Sequence, residues 1–146
     1  PVPPLPQACA SATVELRGEA DVDHALAQRD AQAILDYLAH AGVLHTDAPV
    51  VLPPARCAAT PLAGSQTVKA GAAGVLVFHA AVGDTMEAGQ LVAEIIDPLA
   101  GTSTPVRAEV AGVLYARTYD RYVLPHDDLA NIAGAVAYRT GNLLGA

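Results

Sequence analysis

Residues 69–97 and 106–134 carry one pattern twice. Ala70 and Gly74-Val75-Leu76 in the first copy recur as Ala108 and Gly112-Val113-Leu114 in the second. Further on, Leu91-Val92-Ala93-Glu94-Ile95 recurs as Asp128-Leu129-Ala130-Asn131-Ile132, with a one-residue slip between the two blocks. A short internal repeat means that each half cannot bury its apolar face alone and packs against its twin. Both copies consist of brief alternating runs broken by Gly, Pro, Asn and Asp, which is the signature of short strands. The expected strands are 67–70, 75–80, 91–96, 106–109, 113–117 and 129–133, with turns at 71–74, 82–84 and 86–89 and a hairpin loop at 97–104. Together they predict one small β domain over residues 62–135, followed by a tail at 136–146.

Upstream of the repeat, the chain changes character. Pro1, Pro3, Pro4 and Pro6 make its opening loop-like. Ala12-Thr13-Val14-Glu15-Leu16 is a strand candidate, ended by Arg17-Gly18. Five residues of strand are not stable by themselves and need a sheet. No partner strand is apparent before residue 43, so the segment reads as the end of something larger. Residues 21–41 predict a helix. Asp21 or Asp23 can accept the free N–H groups of its first turn, and Gly42 suits its exit. Val22, Leu26, Ala33, Ile34, Tyr37, Leu38 and Ala41 recur at helical spacing and form an apolar face. Pro49, Pro53, Pro54 and Pro61 mark residues 46–61 as a linker.

Composition excludes some function classes. The chain has 146 residues, 52% of them hydrophobic and 16% charged, too apolar for disorder over most of its length. The net charge of −7 argues against a nucleic-acid surface or an anionic membrane as partner. No run is long and apolar enough for a transmembrane helix, and the N-terminus lacks the charged and apolar regions of a signal peptide. Cys9 and Cys57 stand far apart with no CxxC, which fits a reducing cytoplasm.

The double motif resembles the biotinyl/lipoyl-like barrel–sandwich hybrid. The resemblance rests on Ala70/Gly74, Ala108/Gly112 and the run Val82-Gly83-Asp84-Thr85-Met86-Glu87-Ala88-Gly89-Gln90-Leu91. A carrier domain of that kind holds a modified lysine on the hairpin between its halves. Residues 97–105 contain no lysine, and Lys69, the only one in the chain, lies at the start of the first copy. The carrier reading therefore lacks its amine.

A wider resemblance covers almost the whole chain. The box Ala12-Thr13-Val14-Glu15-Leu16-Arg17-Gly18, a helix, a Pro-rich link and the β repeat follow one another as in the C-terminal part of the succinylglutamate desuccinylase/aspartoacylase family. The resemblance implies a zinc-dependent hydrolase with a carboxypeptidase-like α/β domain that deacylates N-acyl amino acids. Residues 1–45 then correspond to the end of that catalytic domain, with Glu15 matching its catalytic glutamate. Arg17 is a candidate for substrate contact or for a structural ion pair. Tyr119, Tyr122 and Tyr138 are the polar aromatics able to reach a site beneath the β domain. Elsewhere this sequence departs from the family. Its zinc site uses His-x-x-Glu and a later His, yet His24, His40, His45, His79 and His126 are followed at that spacing by Ala27, Val43, Ala48, Val82 and Leu129. The resemblance thus implies zinc in a parent enzyme and none bound to this chain.

The expected fold is α+β, mainly a β barrel–sandwich hybrid of two related halves, preceded by a strand and helix from a truncated α/β domain. The expected function is that of an inactive C-terminal fragment of a deacylase. It would partner a missing N-terminal catalytic domain, and the parent would take a small N-acyl amino acid. In the isolated fragment an exposed apolar helix face would favour self-association. The alternative is a non-catalytic binding or oligomerisation module, in which the β domain mediates the contacts.

Overall fold

The computed structural model describes residues 11–55 and 57–143. The chain divides into two compact units, Pro1–Arg56 and Cys57–Ala146. The predicted loop at the first residues, and Cys9 with it, lie outside the described residues; Cys57 is an exposed free thiol.

Among its described residues the first unit contains one helix, α1 (His24–His40). Asp23 is its N-cap, in extended conformation, and Asp23 Oδ1 accepts from the Ala25 and Leu26 amides at 2.8 and 3.0 Å. At the other end the Gly42 amide donates to Ala39 O and the Val43 amide to Leu38 O, with Gly42 at φ 73°. This paired closure needs a residue that tolerates positive φ, which glycine does without steric cost. None of the helix residues is fully buried, and Ile34 and Tyr37 of the predicted apolar face are more than half exposed. The strand expected at residues 12–16 does not form. Those residues are exposed and carry no ladder, as follows for a short extended segment without a partner strand.

The second unit holds two four-stranded antiparallel sheets that are not closed into a barrel. The strands are β1 (Ser65–Lys69), β2 (Gly74–Phe78), β3 (Thr85–Met86), β4 (Leu91–Asp97), β5 (Thr102–Arg107), β6 (Gly112–Arg117), β7 (Tyr122–Val123) and β8 (Asp128–Gly134). One sheet has the order β1-β8-β6-β3 and the other β5-β4-β2-β7. The first copy supplies β1 to β4, and the second β5 to β8. Each sheet thus takes two strands from each copy, so the copies interleave rather than stack. β1 runs beside β8, from Ser65 opposite Ala133 to Lys69 opposite Asp128. β4 and β5 form the central hairpin.

The core is the repeat itself. Leu76 and Leu114, Val92 and Leu129, Ala93 and Ala130, and Ile95 and Ile132 are all buried and occupy matching places. So do Met86 and Val123, from the two shortest strands. Those strands, β3 and β7, lay in segments expected to turn or loop, since two residues show no periodicity. β5 begins earlier than expected because Thr102-Ser103-Thr104-Pro105 has a loop-like composition. Pro105 is tolerated there because β5 is an edge strand and a missing N–H on the outer side breaks no ladder bond.

Matching turns join the copies. The Gly89 amide donates to Ala108 O (2.7 Å) and the Ala108 amide to Gln90 O (2.9 Å). In the twin position the His126 amide donates to Ala70 O (2.8 Å) and the Ala70 amide to Asp127 O (2.9 Å). Each copy's turn therefore grips the other copy's buried alanine, which explains why Ala70 and Ala108 repeat. Buried Gln66 adds a tie without a twin: its Oε1 accepts from the Glu109 and Val110 amides at 2.9 and 3.3 Å. The tail also returns to the domain, as the Tyr138 and Arg139 amides both donate to Ala63 O at 3.0 Å.

Candidate functional site

Glu15 lies in the exposed extended segment before α1. Two residues later Arg17 sits at φ 65°, a left-handed conformation unusual for a residue with a side chain. Its guanidinium is paired with Asp30, on the second turn of α1. The Asp30 hydrogen bond is the main cause raising the Arg17 pKa above its usual value. The connection from Arg17 to the helix is a closed turn: the Asp21 amide donates to Gly18 O, and the Gly18 amide donates to Asp21 Oδ2, both at 3.0 Å. The segment after Glu15 is therefore stapled to α1 through Asp21, Asp23 and Asp30. Leu16, Val22, Leu26 and Ile34 line an open groove beside it, of about 630 Å³.

The tyrosine candidates belong to the other unit, and of the three Tyr122 alone lies in a strand. Tyr122 is in β7, opposite Val75, and is exposed. Tyr119 precedes it in the β6–β7 connection, where its carbonyl accepts from Arg121 Nη1 at 2.7 Å. Tyr138 lies against the first strand of the other sheet, its hydroxyl 3.4 Å from Ser65 O. The fold does not gather these three around one point.

Among the described residues, no three or more His, Cys, Asp or Glu side chains come together in a group able to hold a metal ion. The donors of the described residues thus do not fit the three-ligand site that catalytic zinc requires. Lys69, on an exposed edge, is ion-paired with Asp128. The hairpin that would carry a modified lysine is instead a capped turn, in which Asp97 Oδ1 accepts from the Leu99 and Ala100 amides at 2.8 and 3.1 Å. Among the described residues no helix is long and apolar enough to cross a membrane.

One polar cluster escaped the reading of the sequence. On the outer face of the sheet β5-β4-β2-β7, Ser103 Oγ donates to Glu94 Oε2 at 2.6 Å, and His79 Nε2 lies 3.2 Å from Glu94 Oε1. These residues come from three strand regions and meet only across the sheet, so no linear spacing announces them. The carboxylate sits between the hydroxyl and the imidazole, which leaves no nucleophile–imidazole pair of the hydrolytic kind. The Ser103 hydrogen bond, then that from His79, holds the Glu94 carboxyl below its ordinary value of 4.5. A depressed folded-state pKa contributes stability above the unfolded value that is lost as pH falls through the folded one. Ser103→Ala is therefore expected to lower the urea midpoint at pH 7. The difference from the parent chain should shrink below pH 4.5 as Glu94 protonates. A difference constant across that range would remove Glu94 from the account.

No family model and no curated protein sequence matches the chain. Solved structures do. A succinylglutamate desuccinylase/aspartoacylase family protein from Shewanella amazonensis is 25% identical with a TM-score of 0.64, over 77% of this chain and 31% of its own. The fold is that of the C-terminal portion of desuccinylase/aspartoacylase family proteins. A second such protein, from Shewanella frigidimarina, is 23% identical with a TM-score of 0.66, over 82% of this chain and 33% of its own. The ectoine utilization protein EutE (DoeB) from Ruegeria pomeroyi shares the fold at 17% identity and a TM-score of 0.59, over 78% of this chain and 36% of its own. This chain spans about a third of the length of the desuccinylase/aspartoacylase proteins it matches.

Proposed function

We propose that this chain is the C-terminal part of an amidohydrolase that removes the acyl group from an N-acyl amino acid or a similar small amide. The supporting observation is the match to the Shewanella amazonensis protein across 77% of the chain, more residues than the β unit alone contains. In this reading residues 1–45 end the catalytic domain, residues 46–61 link it, and residues 62–135 form an accessory domain. Glu15 is the general base. Its carboxylate takes a proton from water as the water oxygen bonds to the amide carbonyl carbon. As the C–N bond breaks it returns that proton to the departing nitrogen, leaving an acid and a free amine. The zinc ion that the resemblance implies finds no ligand set among the described residues and would be held by residues outside this chain.

The reading has a direct test. This chain alone is expected to release no acetate from N-acetyl-L-aspartate and no succinate from N-succinyl-L-glutamate. The complete gene product should hydrolyse at least one amide of this type. Turnover by this chain alone, or none by the complete product across an N-acyl amino acid panel, would overturn it.

A binding or assembly role for the β unit is the second reading, favoured by the apolar side chains it leaves on its surface. Val75, Val77 and Tyr122 stand exposed on the outer face of one sheet. Such a patch suits a macromolecular contact.

A further inference from the structure

We propose that the Arg17–Asp30 ion pair is the device that positions Glu15, and that Arg17 makes no contact with substrate; this rests on the reading of Glu15 as the base. Glu15 stands in an extended segment whose next fixed point, two residues on, is held against α1. Arg17 is the nearest anchored side chain. Its Cα lies at most about 7.6 Å from that of Glu15, two virtual bonds along the chain. Its backbone is held at φ 65°, its guanidinium is paired with Asp30, and the next residue enters the turn closed by Asp21. α1, capped at both ends, is the rigid body on which these contacts converge.

The pairing also bears on chemistry. An uncommitted guanidinium beside a general base would draw the carboxylate into its own ion pair and weaken it as a proton acceptor. Asp30 occupies Arg17 instead and leaves Glu15 to act. A guanidinium so engaged is also a poor candidate to bind a substrate carboxylate. Arg17 is thus a positioning residue, acting through the turn it anchors.

The experiment uses the complete gene product with N-acetyl-L-aspartate and N-succinyl-L-glutamate as probes. Arg17→Ala and Asp30→Asn are each expected to lower kcat roughly tenfold to a hundredfold, the scale on which a displacement of about 1 Å acts. KM should stay within about twofold, since ground-state binding is untouched. Arg17→Lys should recover part of the loss, because an ammonium pairs with Asp30 as a point charge without the planar fork. The exchanged pair Arg17→Asp with Asp30→Arg should recover more than either single change, Asp being tolerated at positive φ. A raised KM at unchanged kcat in Arg17→Ala, with Asp30→Asn silent, would make Arg17 a substrate contact and overturn the proposal. Full activity in Glu15→Gln would overturn the base reading and this proposal together. An inactive Glu15→Gln beside silent Arg17→Ala and Asp30→Asn would overturn this proposal alone. In the present chain, amide ¹⁵N relaxation should show residues 15–18 loosened by Asp30→Asn. Unchanged order parameters there would also overturn it.

Discussion

Glu15→Gln in the complete gene product is expected to lower kcat by about 10²–10⁴-fold, the usual range for removing a positioned general base, with KM within about twofold. The amide keeps the size and most of the hydrogen bonding of the carboxylate but cannot accept the proton from water. Binding of the N-acyl amino acid would persist while the chemical step stalls. Circular dichroism of the variant should match the parent, because Glu15 is exposed and supports no core. Steady-state hydrolysis of N-acetyl-L-aspartate and N-succinyl-L-glutamate supplies the measurement. An unchanged kcat would return Glu15 to the solvated surface and favour the binding-module reading.

The second large effect concerns folding. Gly112→Ala should destabilise the β unit by about 3 kcal/mol, at the upper end of typical overpacking costs. A Cβ at Gly112 would lie 2.3 Å from Ala133 O and 2.6 Å from Ala133 C. Both atoms are backbone of β8, which pairs with β6 along this line, so neither can swing aside as a side-chain tip would. Gly74 meets the same obstacle in the twin position, where Ile96 O would be 2.4 Å away. Domain stabilities lie on the order of 5–15 kcal/mol, so the double variant should fail to fold under ordinary conditions. Gly71, with nothing within 4 Å of the added atom and no positive φ, is the control, and Gly71→Ala should leave the urea midpoint nearly unchanged. Equal midpoints for Gly71→Ala and Gly112→Ala would refute the close-approach argument.

Much of the β unit was legible because its constraints are local and doubled. Ala70 with Ala108 and Gly74 with Gly112 recur since each pair meets the same backbone geometry. The helix was equally plain, as Asp23 and Gly42 write its ends. Other features depended on contacts across the sheet. β3 and β7 exist only through pairing with β6 and β2, and a two-residue strand carries no pattern of its own. The group of His79, Glu94 and Ser103 is assembled by register, which composition does not encode. The failed strand at residues 12–16 marks the opposite case: its Thr-Val-Glu-Leu alternation favours a sheet, but a strand also needs a neighbour. Glu15 came from resemblance to a family, whereas the commitment of Arg17 to Asp30 required coordinates.

The interleaving of the two copies also bears on ancestry. A polypeptide holding one copy could complete neither sheet, because each sheet takes two strands from each copy. Its smallest closed assembly would be a pair of identical chains exchanging β1 and β3 for one another's equivalents. Fusing two such genes would replace a bimolecular encounter with tethered ends at millimolar effective concentration. The turn at residues 98–101 occupies the place of that fusion. After fusion the halves were free to diverge, and the single-sided Gln66 tie is where they have done so.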